Sequence, residues 1–153
     1  MNLLKRLKKS VNYKMNLKPY YETKFWEVIL HQNQTYLGYS VVVSKSKAKS
    51  MSEITTKEWL DFGNVVKILE STYKECFDAT MFNWTCLMNN AYKRNPPNPC
   101  VHWHFRPRYN QVIKINEKSF NDPNFAHHYN PKKENIIDDQ TYNLIVDKIK
   151  SFL

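Results

Sequence analysis

Apolar and polar residues along this chain fall into several short alternating stretches and two longer ones with helical spacing. Phe25 to His31 is rich in β-forming residues. Thr35 to Ser44, centred on Val41, Val42 and Val43, reads as a second strand, and Gln32, Asn33 and Gln34 make a polar turn between the two. Lys45 to Ser50 is a basic loop. Ser52 or Thr55 can then cap a helix, with Glu53 or Glu58 in the reciprocal capping position. Trp59, Phe62, Val65, Val66, Leu69 and Tyr73 recur at helical spacing as far as Phe77. Met81 to Met88 reads as a third strand, Asn89 to Pro99 as a loop, Cys100 to Arg106 as a fourth strand and Gln111 to Ile115 as a fifth. Pro123 to Pro131 is irregular. Asp138 to Leu153 is a terminal helix with Tyr142, Leu144, Ile145, Ile149 and Phe152 as its apolar side. The pattern predicts one α+β domain over residues 19–153.

Composition adds limits. A chain of 153 residues is long enough to bury a real core. Its aromatic content of 14% and its two glycines, Gly38 and Gly63, belong to an ordered globular protein. No apolar run approaches the length of a membrane span. Three cysteines outside any CxxC pattern do not form a disulfide framework, so a reducing, cytoplasmic setting is expected. The net charge of +9 is unevenly placed. Residues 1–18 contain Lys5, Arg6, Lys8, Lys9, Lys14 and Lys18 and no acid, which leaves about +3 for the rest of the chain. This basic N-terminal arm is suited to nucleic acid or anionic membrane, and its apolar stretch is too short for a secretory signal.

The fourth strand carries the candidate chemistry. In an extended strand Cys100, His102, His104 and Arg106 project from one face, and Val101, Trp103 and Phe105 from the other, where they can be buried. Pro107 removes a ladder donor and marks where regular pairing weakens. Three readings fit these residues. The two histidines can be polar residues on an exposed sheet face. Cys100, His102 and His104, with His127 or His128, can be metal ligands, although three alternate positions on one straight strand splay across about 13 Å. The third reading is nucleophilic catalysis at phosphorus. There a neutral imidazole attacks through one nitrogen while a carbonyl holds the other as N–H, and neighbouring donors hold the phosphate oxygens.

These segments resemble the histidine-triad (HIT) superfamily of nucleotide hydrolases and transferases. The resemblance rests on Met81 to Asn89, the loop after it, and Val101-His-Trp-His-Phe-Arg-Pro-Arg-Tyr109, and it continues upstream through Trp26 to Leu30 and Tyr36 to Val43. The family motif alternates three histidines with apolar residues and uses the middle one as nucleophile. It falls here on Cys100, His102 and His104. The resemblance implies an antiparallel sheet with a central helix and a C-terminal helix, His102 as nucleophile and His104 beside the phosphate and leaving group. It places Asn89 where an amide contacts phosphate, and His31 where a ribose-binding Asp or Asn is usual, with Asn33 as a substitute. It also implies a homodimer with a continuous sheet, and a nucleoside phosphate substrate attacked at its α-phosphate through a nucleotidyl-histidine. Phosphoric anhydrides such as dinucleoside polyphosphates, and phosphoramidates, are the expected substrate classes. No tightly bound metal or cofactor is expected, and Mg2+ enters as a substrate counter-ion.

The departures from the family pattern are specific. Cys100 replaces the first histidine, and Arg106 stands where an apolar residue is usual. The phosphate loop from Asn90 to Pro99 lacks glycine, and Lys45 to Lys49 replaces a stretch that commonly carries another histidine. They keep open the alternative of a non-catalytic protein that binds nucleotides or associates with nucleic acid.

Overall fold

A computed structural model describes residues 17–153. Apart from Leu17 and Lys18, the basic arm therefore lies outside the described residues. Leu17 packs into the core, two positions before the expected start of the domain at residue 19.

Seven strands and three helices follow in chain order. They are β1 (Tyr21–Glu22), β2 (Trp26–Leu30), β3 (Ser40–Ser44), α1 (Thr56–Phe77), β4 (Met81–Thr85), α2 (Asn89–Tyr92), β5 (His102–Arg108), β6 (Ile113–Ile115), β7 (Lys118–Phe120) and α3 (Asp139–Lys150). The first five strands pair antiparallel in the order β1-β2-β3-β5-β4, and β6 and β7 form a separate hairpin. The α+β class, the antiparallel sheet and the long central and terminal helices agree with the sequence reading. No helix among the described residues is long and apolar enough to cross a membrane.

Helix α1 starts where Thr55 and Glu58 cap each other's backbone N–H groups, and it ends at Asp78 in the left-handed conformation. Its Val65, Leu69, Tyr73 and Phe77 are buried against one face of the sheet. Aromatic rings fill that contact. Phe62 lies 5.0 Å from both Trp26 and Trp103, and Tyr73 lies 5.0 Å from Phe105. This packing fixes the orientation of β5. With Trp103 and Phe105 turned to the helix, alternation turns His102, His104 and Arg106 to the opposite face.

Several expectations need correction. The third strand stops at Thr85, short of Met88, and the fourth starts at His102, so Cys100 precedes it. The second strand begins at Ser40, not Thr35. The buried Gln34 side chain donates to the His31 and Tyr39 carbonyls and accepts from the Gly38 N–H, so residues 31–39 close as a compact loop. Gly38 is required there: its φ is +80°, and a Cβ would lie 2.1 Å from the Tyr73 ring. Pro107 does not end the pairing, because β5 runs through it to Arg108 against Met81 of β4. The Arg108 carbonyl accepts from Thr80 on that side, so alternation turns the Pro107 nitrogen the other way, where β3 pairing has stopped at Phe105. The expected loop after Asn89 opens with a single helical turn.

Candidate active site

The site forms on the helix-free face of β5, which lies between β3 and β4. His104 stands opposite Val41 and Thr85, and His102 opposite Val43. Backbone pairing therefore holds His104 on both sides and His102 on the β3 side, and their rings meet edge to face at 5.0 Å.

His102 Nδ1 lies 2.8 Å from the Cys100 carbonyl oxygen. A carbonyl can only accept, so Nδ1 carries the proton and Nε2 is the unprotonated nitrogen. The contribution of Cys100 to His102 thus comes from its backbone. Its side chain is buried, with Sγ 3.8 Å from the Val101 carbonyl. Cys86, just beyond β4, faces the His102 backbone N–H. Burial pushes its thiol up, and that N–H draws it partly back.

His104 is held differently. Its Nδ1 lies 2.7 Å from the Tyr39 hydroxyl, and the Leu87 carbonyl faces the ring and favours a ring proton. We assign that proton to Nε2, with Nδ1 accepting from Tyr39. Burial, then the neighbouring His102, Arg106 and His31, lowers the His104 pKa to about 3. His104 is therefore neutral at physiological pH and acts as an N–H donor, not as a cation.

Tyr39 connects a second group of residues to this pair. Its ring stacks on His31 at 4.6 Å and lies 4.3 Å from the Arg106 guanidinium, which also lies over the Tyr129 ring at 4.1 Å. His31 Nδ1 accepts from the Asn33 backbone N–H at 2.9 Å. Burial, followed by the Arg106 charge, lowers the His31 pKa to about 4. The next residue on the same face, Arg108, is fully enclosed. It forms a two-pronged ion pair with Asp122 at 2.6 and 3.1 Å, and it also donates to Asn83 and to the carbonyls of Asn124 and His127. These bonds tie the irregular segment after β7 onto the histidine face of the sheet.

Among the expected site residues, His102 and His104 meet directly, and His31 and Arg106 join them through Tyr39. The Asn33 side chain points elsewhere. Its Oδ1 accepts from Thr35 and Asn135, and its Nδ2 donates to the Lys133 carbonyl, which secures the loop to the C-terminal segment. Asn89 is exposed at the start of α2, after the edge strand β4. Lys45 pairs with Glu22, while Lys47 and Lys49 are exposed. His127 and His128 are exposed, and Tyr129 between them and the site is buried. No three His, Cys, Asp or Glu side chains among the described residues are grouped to hold a metal ion.

Sequence reasoning missed Tyr39, Arg108 and Asp122. The first two were available from alternation. Tyr39 is two residues before Val41, which pairs with His104, and Arg108 is two residues after Arg106. Asp122 lies in a segment with no periodicity, and nothing local marks it.

Neither a family model nor a curated protein matches this sequence. Solved structures do. A histidine triad (HIT) protein from Sinorhizobium meliloti superposes with a TM-score of 0.70 at 14% identity, covering 97% of this chain and 94% of the other. A histidine triad protein from Marinobacter aquaeolei gives 0.68 at 16% identity, covering 99% and 95%. The Plasmodium falciparum diadenosine triphosphate hydrolase gives 0.60 at 14%, covering 99% and 96%. At these identities the likeness is one of fold, and the fold of this chain is that of the histidine triad proteins.

Proposed function

We propose that this protein hydrolyses a nucleoside phosphate derivative at its α-phosphate, with His102 as nucleophile. One observation carries the reading: the Cys100 carbonyl, 2.8 Å from Nδ1, fixes His102 in the tautomer whose unprotonated nitrogen, Nε2, can attack phosphorus. The similarity in fold to a diadenosine triphosphate hydrolase supports the choice of substrate class. In the first step Nε2 forms an N–P bond as the bond from phosphorus to the leaving group breaks. His104 donates from Nε2–H to an oxygen at that phosphorus. In the second step the water oxygen bonds to phosphorus as the N–P bond breaks, which releases the nucleoside monophosphate and neutral His102, and the proton lost by water balances, through solvent, the one taken up by the leaving group. No step runs through a resident metal, and Mg2+ serves as counter-ion of a polyphosphate leaving group. Asn89 is the amide donor to the phosphate in this reading, brought to it when the ligand binds. A homodimer with a continuous sheet belongs to the same reading.

One observation favours binding without turnover: His104 already has protein partners, the Tyr39 hydroxyl at Nδ1 and the Leu87 carbonyl at its ring. His102→Asn separates the two readings. A diadenosine polyphosphate and a nucleoside phosphoramidate labelled in the nucleotidyl group are supplied to wild type and variant, followed by rapid quench under conditions that preserve N–P bonds. The hydrolase reading expects labelled wild-type protein, no labelled variant and a fall in kcat of about three orders of magnitude or more with nucleotide binding kept. Unlabelled wild type that binds nucleotide without turnover supports the binding protein. Equal turnover by the two proteins removes His102 as nucleophile.

A further inference from the structure

Arg106 and Arg108 lie two residues apart on β5, both more than nine-tenths buried, and they are treated differently by the fold. Arg108 has the partners that a buried guanidinium needs: a carboxylate gripped at two nitrogens and three further acceptors. Among the described residues Arg106 has one hydrogen bond, from Nη1 to the Thr85 hydroxyl at 3.4 Å. The ion pairs among the described residues are Lys45–Glu22, Arg108–Asp122 and Lys118–Asp138, so no described carboxylate answers its charge. Residues 1–16 contain no Asp or Glu.

What covers Arg106 are two rings. Tyr39 and Tyr129 lie 4.3 and 4.1 Å from the guanidinium carbon. Rings can satisfy the faces of a guanidinium, but its N–H donors lie in the plane, along its edge. None of the Arg106 nitrogens is among the fully enclosed, unpartnered polar atoms of the described residues, so those without a hydrogen bond reach the molecular surface. The result is a planar fork braced by two rings, with N–H donors left at the surface. That geometry receives a phosphate, and bracing removes the rotamer freedom the side chain would otherwise lose on binding. His31 and His104 are neutral beside it, and both feel the Arg106 charge, so the field there is positive.

We propose that Arg106 forms a second anion subsite on the histidine face, and that the natural ligand carries a second phosphate besides the one attacked by His102. This rests on the nucleotide reading of the site and narrows its substrate class. His102 and Arg106 are four residues apart on one strand, about 13 Å between Cα atoms. The second phosphate is therefore a separate group on the ligand.

Isothermal titration calorimetry of the full chain tests this. The four nucleoside 5′-monophosphates are compared first, and the best binder is then compared with its 5′-diphosphate and its 3′,5′-bisphosphate. The expected result is that one doubly phosphorylated ligand binds wild type about tenfold or more tightly than the monophosphate at low salt, with the preference shrinking as salt rises. Which one does so tells whether the second phosphate is on the leaving-group side or on the sugar. Arg106→Met should abolish the preference while monophosphate affinity stays within about threefold. Equal affinities in wild type, or a preference that survives in Arg106→Met, would overturn the subsite. If Arg106→Met does not fold, Arg106→Lys serves in its place: it keeps the charge and loses the fork, so an undiminished preference there overturns the assignment and a reduced one supports it. Absence of binding to all four monophosphates would overturn the nucleotide reading itself, and the subsite with it.

Discussion

Tyr39→Phe removes one oxygen and leaves the ring that stacks on His31 and braces Arg106. The lost hydroxyl is the one 2.7 Å from His104 Nδ1. A neutral hydrogen bond contributes about 0.5–1.5 kcal/mol net, and a half-buried acceptor left without its donor costs about 1–3 kcal/mol. If that hydroxyl selects the Nε2–H tautomer of His104, its removal shifts the tautomer ratio by roughly 5- to 150-fold toward Nδ1–H, and kcat falls in proportion to the productive tautomer that remains. KM should change little, because His104 is assigned to the chemical step. Nitrogen-15 long-range NMR of the histidines reads the tautomer directly and independently of turnover. Wild type should show the His104 proton on Nε2, and Tyr39→Phe should show a mixture. The profile should be flat with respect to His104 from about pH 5 to 9, because its pKa near 3 keeps it neutral throughout that range. A wild-type proton on Nδ1, or an unchanged tautomer and kcat in Tyr39→Phe, would refute this reasoning.

Two further predictions concern the scaffold. Asp122→Ala strands the enclosed Arg108 guanidinium and should cost about 3–5 kcal/mol, a fall in Tm of roughly 6–20 °C. Calorimetry checks it, the double substitution of Arg108 and Asp122 by Leu should cost less than the single one, and a fall below about 3 °C would show that the ion pair is not needed. His31 and His104, with pKa values of about 4 and about 3, bind a proton more readily in the unfolded chain than in the folded protein. Stability should therefore be insensitive to these residues above about pH 6.5 and fall as pH drops below it, by about 1.4 kcal/mol per pH unit for each histidine, until its own folded pKa is reached. Urea titrations at pH 7, 5.5 and 4.5 measure the slope. His31→Leu should remove about one proton's share, and an unchanged slope would count against the depressed His31 pKa.

Alternation made the face of β5 legible because one side of the strand carries Val101, Trp103 and Phe105, and a helix with matching aromatic residues is available to bury them. Once those residues are inside, His102, His104 and Arg106 have no other direction to take. The same rule failed where side-chain bonds outweigh β propensity. Thr35 to Tyr39 has strand-forming residues, but Gln34 closes the loop on itself and Gly38 turns it. It also stopped too early at Pro107, since a missing N–H costs a ladder only on the side where a neighbour stands.

The partners of the site residues were hidden for a different reason. Tyr39 meets His104 across 65 positions of sequence, and Asn33 meets Asn135 across 102. Contacts of that separation depend on where elements pack, and no local periodicity encodes them. The two arginines show the consequence. Arg106 and Arg108 have the same residue type, parity and strand, so sequence alone gives them one description. Asp122 divides them by reaching Arg108 from the irregular segment, leaving Arg106 as the guanidinium with two tyrosine rings and N–H donors at the surface. A fold that supplies a carboxylate to one buried arginine, and to its neighbour two rings and a hydroxyl, leaves the second charge to be answered by a ligand, as the proposed subsite requires.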